Sequence, residues 1–394
     1  MADSTTSNLL LTKPEVGAST DTWGTKINAD LDLIDAKFTA DLLSASANGV
    51  TGFKNRIING AMVISQRNGT SSVNIGTSGG GSQYTLDRWN FDFGQAPKLS
   101  SAQSTDAPTG FSNSLLVTSL AATTVGASDY FQVNQKIEGF NTSDLAFGSA
   151  SAATVTLSFW VKSTLTGSFS GTLKNSAANR SYPFSYTINA ANTWEQKTVT
   201  VAGDTSGTWI GGTNGIGLIA NFSLGMGSTF SGTANAWASA NLGAVTGSVN
   251  MVSTNAATWQ ITGVQLEKGS TATSFDYRPF GTELQLAQRY FYKNFPATAG
   301  VAVASGYWFN TTYPIGTITF PVSMRTAPTF SVSAASDFNV LIPAGTASIS
   351  SFVMSNAGTL SGRLDLTAAT GTTGQGNVIQ TANTSAYFQL SAEL

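Results

Sequence analysis

In the stretch "ATVTLSFWVKST", Val155, Leu157, Phe159 and Val161 recur at every second position. A period of two puts all four on one face of an extended chain, so the segment reads as a strand with a buried side. The same rhythm runs through "DRWNFDF", where Trp89, Phe91 and Phe93 alternate with Asn90 and Asp92. "YPFSYTI", "WEQKTVTVAG", "GIGLIANFSLG" and "ATWQITGVQLEKG" each fit a further strand, and the connections between them are rich in Gly and Asn. "FKNRIINGAMVISQRNGT" also reads as β, with Ile57, Met62 and Ile64 apolar and Asn59-Gly60 as a turn signal. Many short strands joined by such turns predict a β-sandwich of the jelly-roll kind.

Composition narrows the function. Charged residues make up 10% of the 394, against roughly 25% in ordinary soluble domains. Short neutral residues fill the difference, which suits exposed β structure better than a metabolic enzyme. Net charge is −2, with no basic stripe to neutralise phosphates, so nucleic-acid binding is not expected. No apolar run approaches the ~20 residues of a membrane span. "SNLLLT" near the start lacks the flank of a secretion signal, so export is expected by another route, such as a particle released by lysis.

Cys and His are both absent. That removes disulfides, thiolate chemistry, the Ser-His-Asp triad and every zinc site containing His. Catalysis would fall to carboxylates, Lys or Tyr. Asp87, Asp129, Glu138, Asp144 and Glu195 are isolated acids that form no motif for a two-carboxylate hydrolase. "GIGLIANFSLGMG" has neither the helix nor the Lys-Ser/Thr of a phosphate loop. The chain is therefore expected not to be an enzyme, and no metal or cofactor is called for.

Residues 1–52 differ from the rest. "TDTWGTKINADLDLIDAKFTADL" has helical period, with Ile27, Leu31, Ile34 and Phe38 spaced as a coiled-coil seam and Thr20 or Asp21 able to cap its start. So short a helix is marginal in water and its seam wants a partner. One reading packs it on its own domain. The other, adopted here, makes Trp23, Ile27, Leu31, Ile34 and Phe38 a docking and trimerisation surface.

"QLEKGSTATSFDYRPFGTELQLAQRYFYK" (265–293) concentrates aromatics and charges. A strand ends near Lys268-Gly269, Pro279 stops extended structure, and Thr282 with Gln285 forms a capping box for a short helix. The helix would carry Leu284, Ala287 and Phe291 on one face, with Leu286 and Tyr290 beside it. Glu267, Asp276, Arg278, Glu283 and Arg289 are available to pair. This is expected to be a hinge between a central unit (53–281) and a C-terminal unit (282–394). In the latter, "PIGTITFPVSMRTAPTFSV" and "SAYFQLSAEL" read as strands.

For a sugar site, flat aromatics beside polar groups are the signal. "SGYWFNTTYP" offers Tyr307, Trp308, Asn310 and Tyr313, although Tyr307 and Phe309 also alternate like a core strand. Trp209 and Trp237 lie among Gly, Ser and Asn in expected loops. Trp89, Trp160, Trp194 and Trp259 lie in strand patterns and are assigned to core or sheet faces.

Four stretches resemble a known family in this order. "LLLTKPEVGASTDTWGTKINADLDLID" is similar to the N-terminal segment of bacteriophage tail-fibre proteins. "KNRIINGAMVISQRNGT…YTLDRWNF" and "TWQITGVQLEKGSTATSFDYRPFGTELQLAQRYFYK" resemble the opening and close of carbohydrate-binding-module-like jelly rolls in phage fibres. "FPVSMRTAPTF" resembles a strand of the terminal domain that follows. The resemblance implies an elongated homotrimeric virion appendage, docked on other tail or neck proteins through its N-terminus and presenting its C-terminal part to the host. It supplies no catalytic residues.

The expectation is thus a mainly β chain: a docking segment with a short helix, a central jelly-roll sandwich and a C-terminal β-sandwich tip. It would be made in the host cytoplasm and bind host-surface polysaccharide without cleaving it. A virion connector or decoration protein without a receptor is the alternative, followed by a tailspike hydrolase.

Overall fold

The computed structural model describes residues 4–5, 12–13, 22–34, 53–343, 345–368 and 371–394. The fold is mainly β, as the alternation requires. Two six-stranded antiparallel sheets face each other. The first runs, edge to edge, Ser181–Ile188, Gly167–Lys174, Ile216–Met226, Tyr130–Glu138, Asn90–Phe93 and Gly81–Tyr84. The second runs Glu195–Val201, Val155–Ser163, Thr258–Lys268, Ser114–Ser119, Leu99–Ser104 and Val73–Asn74. The chain passes repeatedly from one sheet to the other, which makes the sandwich a jelly roll.

The core lies where the alternation put it. Val155, Leu157, Phe159 and Val161 are wholly buried, and Trp89, Phe91 and Trp259 join them from other strands. Phe222 meets Phe159 edge-on at 5.0 Å between ring centroids. The apolar run 53–65 forms no strand. It lies against the strand Thr258–Lys268, with Arg56 N donating to Leu266 O (2.9 Å) and Val264 N to Gly60 O (3.0 Å). A Cβ at Gly60 would stand 2.2 Å from Val264 O, so this close approach requires glycine. The expected turn is present, with Asn59 at φ 59° and its amide bonding Ile64 and Asp87 main-chain oxygens.

The C-terminal unit is β as expected, and its main sheet closes on itself where a sandwich was anticipated. Ala302–Asn310, Tyr313–Thr319, Ser361–Ala368, Gly345–Ser355, Phe338–Ile342 and Gly376–Thr381 form a six-stranded barrel. Closure leaves no free edge in this sheet. The barrel is filled by Trp308, Ile318, Val340, Phe352, Leu364, Leu366 and Ile379. A three-stranded sheet of Phe291–Asn294, Phe388–Ser391 and Thr329–Val332 lies beside it.

The segment expected to be a hinge is fixed on both sides. Its helix spans Phe280–Gln288, two residues earlier than expected, and no side chain caps it. Pro279 takes the cap position instead, and its ring fixes the φ from which the helix opens. Glu283 and Ala287 are its buried positions; Tyr290 and Phe291, expected on the helix, lie beyond its end, where Phe291 opens the strand Phe291–Asn294, and both are wholly buried. Ala287 and Tyr290 form a small core with Ile58 and Ile64 of the sandwich. Glu283 accepts from Arg278 (3.1 Å) and from the Asn59 N–H. Glu138 of the sandwich receives Arg289 at 2.6 and 2.9 Å and the Tyr290 hydroxyl at 2.6 Å. Residues 392–394 reach back to the sandwich as well: Leu394 O accepts from Tyr84 and Lys136, each at 2.9 Å.

The helix at 23–34 is present, with its seam open: Trp23, Ile27, Leu31 and Ile34 are all more than 40% exposed. Phe38 and the candidate caps Thr20 and Asp21 lie outside the described residues.

Candidate functional site

The outer face of the first sheet is polar, and strand register orders it. Thr172, Asn221, Asn134 and Asn90 stand side by side across four strands. On one side of this row lie Ser223, Gln132, Asp92 and Ser82; on the other lie Lys174, Ile219 and Lys136. Such ladders follow from the period of two, because the residues between them are the apolar core.

Above these rows opens a cleft of about 660 Å³. Its polar lining is Ser82, Asp92, Gln132, Lys174 and Asn241, and Tyr130, Met226 and Phe230 supply apolar surface. Tyr130 and Phe230 meet edge to face at 5.9 Å. Gly243 completes the wall, and a Cβ there would fall 2.3 Å from Met226 Cε and 3.2 Å from Gln132 Oε1.

The row beneath holds the lining in place. Asp92 accepts from Asn90 (2.9 Å), Asn134 (2.6 Å) and Gln132 (3.3 Å). Asn221 donates to Gly243 O at 3.1 Å and so anchors the loop that carries the far wall. Asn134 Oδ1, Asn221 Oδ1 and Ser223 Oγ are buried with no hydrogen-bond partner. The polar capacity under the cleft therefore exceeds what the protein satisfies, an unusual condition for buried groups. Lys174 is 7% exposed, and its Nζ meets Asn241 Oδ1 at 3.3 Å. Burial pushes its pKa down to about 8, against the opposing pull of Asp92.

The aromatic residues singled out from sequence lie elsewhere. Trp308, read as a ligand contact, is wholly buried in the barrel, and its neighbours Tyr307 and Phe309 point outward. The alternation was legible there, but it is Trp308 that faces the core. Asn310 is exposed and Tyr313 half-buried; Tyr313 lies 6.2 Å from Phe309 between ring centroids. Trp209 and Trp237 are brought together, 5.4 Å apart and edge-on, with Phe147 against both. Their indole N–H groups donate to Ser206 O and Ala202 O, so each pins a loop. The cavity beside Trp209 holds about 40 Å³, room for roughly one water.

The isolated acids are committed to structure. Asp87 accepts from Gln66 at 2.7 and 2.6 Å, Asp129 from Gln95 at 2.8 Å, Asp144 from Arg56 at 2.7 Å, and Glu195 from Asn189 and Lys197. Of the residues lining the cleft, Asp92 alone is a carboxylate. The cleft escaped the sequence reading because its signal is spread over strands. Asn90, Asp92, Gln132, Asn134, Ser170, Thr172, Lys174, Asn221 and Ser223 are ordinary polar residues until the register unites them.

No family model matches the sequence, and no curated protein matches it. Among solved structures, it is similar to the enzymatically active domain of tailspike protein 4 of bacteriophage CBA120, at 14% identity and TM-score 0.28. That match covers 55% of this chain and only 21% of the tailspike chain. A structure titled for a family 4 carbohydrate-binding module matches at 16% identity and TM-score 0.25, over 54% of this chain and 98% of the module. The family 11 carbohydrate-binding module of Clostridium thermocellum, in complex with a β-1,3-1,4-mixed-linked tetrasaccharide, matches at 11% identity and TM-score 0.26, over 50% and 100%. The strand order of the two sheets is what defines the jelly roll.

Proposed function

We propose that this chain is a carbohydrate-binding protein of a virion, a trimeric phage tail fibre that holds host-surface polysaccharide without cleaving it. The observation that carries the sugar-binding part is the cleft over the first sheet. A pyranose presents hydroxyls that donate and accept at its rim and C–H groups on its faces. Asp92, Gln132, Asn241, Lys174 and Ser82 serve the rim, and the Tyr130–Phe230 corner serves the faces. A single lining carboxylate argues against glycoside hydrolysis in this cleft, which requires a pair. The virion part rests on the sequence resemblance. The open seam of helix 23–34 supports self-association, because an apolar stripe of that exposure is unfavourable in a lone helix. Three copies on one axis would strengthen weak sugar contacts through effective concentration.

The test uses the purified chain. Free protein at saturating concentration should block adsorption of the parent particle to its host, and no reducing sugar should appear from purified host polysaccharide. Failure to compete would reassign the chain to a connector or decoration role.

A further inference from the structure

We infer that the ligand of the cleft is an acidic glycan, and that Lys174 is the residue that selects it by meeting a sugar carboxylate. The inference rests on the sugar-binding reading and adds the charge of the ligand to it. Lys174 stands in the strand Gly167–Lys174 at the cleft wall, more than nine-tenths buried. An ammonium has three N–H donors. Asn241 Oδ1, at 3.3 Å, is the acceptor this one meets among the described residues, and it forms no ion pair there. A buried charge served so thinly is costly and persists where a partner completes it.

The one carboxylate nearby does not fill that role. Asp92 lines the same cleft, but its oxygens are already occupied by the amides of Asn90, Asn134 and Gln132. The two charges do not form a salt bridge, so a ligand group can enter between them. A hydroxyl can meet Asp92 and Gln132 while a carboxylate meets Lys174. Other titratable groups do not compete for this place. Tyr130 lies on the opposite side near Phe230, and Lys136, in the same row as Lys174, is spent on Leu394 O. Burial depresses the pKa of Lys174, and the charge of Asp92 offsets that only in part.

The full chain should be screened on an array of acidic and neutral bacterial surface oligosaccharides. The best ligand, and the same ligand after carboxyl reduction, should then be titrated calorimetrically. Acidic glycans should dominate the hits, and reduction should weaken binding by about tenfold or more, the scale of a lost charge-assisted hydrogen bond. Lys174→Gln should bind both forms with equal, weak affinity, and should melt no lower than wild type because a buried charge has been removed. Wild-type affinity should fall between pH 7 and pH 9.5 as the ammonium is lost, while the variant stays flat. Equal wild-type affinity for acid and reduced ligand, with binding weakened in Phe230→Ala, would overturn the charge inference and leave sugar binding intact. Retention of no glycan at all would overturn both.

Discussion

Arg88 and Glu393 lie 305 positions apart and form an ion pair at the joint between sandwich and C-terminal unit. Arg88 is 1% exposed, and its guanidinium stacks 3.6 Å from the centre of the Tyr290 ring. Arg67 reaches the other oxygen of Glu393 at 2.8 Å. Glu393→Ala strands two guanidinium groups, one of them wholly buried. Loss of one partner from a buried pair costs about 3–5 kcal/mol. The urea midpoint of the variant should drop accordingly, and the C-terminal unit should unfold ahead of the sandwich. A single transition at the wild-type midpoint would show that the pair does not hold the joint.

Phe230→Ala removes one wall of the cleft while the sheet beneath keeps its bonds. Polysaccharide affinity should fall roughly tenfold, on the scale of a lost aromatic contact, with little change in melting temperature. Gly243→Val should act similarly by driving a side chain into Met226 and Gln132. Glycan titration of both variants beside the wild type checks this.

In the barrel strand Ala302–Asn310, the inward positions should be sensitive and the outward one between them tolerant. Trp308→Ala empties the core and should cost about 3–5 kcal/mol. A Cβ at Gly306 would stand 1.8 Å from Ile315 O, so Gly306→Ala should cost about 1–3 kcal/mol through forced backbone movement. Tyr307→Ser, on the open side, should stay within about 0.5 kcal/mol of wild type. Chemical denaturation of the three variants separates the faces.

Asp87 carries a pH dependence of known sign. Burial raises its pKa from 3.8 to about 6, against Arg67 and the bonds from Gln66. The folded state therefore holds the proton more tightly than the unfolded chain. This contribution is fully present below about pH 3.8 and is lost as pH rises through 6. Asp87→Asn mimics the protonated acid. The difference in melting temperature should shift in favour of the variant between pH 4 and pH 7; a constant difference would refute the raised pKa.

If the open helix seam joins copies, Ile27→Asp with Leu31→Asp should convert the trimer to monomers in light scattering. The melting temperature of the sandwich should not change. A wild-type chain that is already monomeric at micromolar concentration would remove the trimer proposal.

The fold was largely legible because strand parity is a local property. Val155 to Val161 follows directly from alternation, while Thr258–Lys268 reads as a strand although its buried side changes parity between Ile261 and Val264, where the ladder shifts register. Barrel closure was not legible, because it depends on which strands meet at long range, as when Ala302–Asn310 pairs with Gly376–Thr381. The packed joint was hidden for the same reason: nothing near residue 280 announces that Glu393 returns to Arg88. The cleft stayed hidden because aromatics grouped in sequence are a poor guide to aromatics grouped in space. Trp308 sits in such a group and is core, whereas Tyr130 and Phe230 are brought together only by folding.

Neighbouring strands stand about 4.8 Å apart, so the Thr172–Asn221–Asn134–Asn90 row works as a ruler fixed into the sheet itself. The row itself is buried, and the lining groups Asp92 and Gln132 take their spacing from the same strands. On the proposed sugar-binding reading, exchange of one lining side chain alters the chemistry of the cleft while the scale that spaces its neighbours stays as it is.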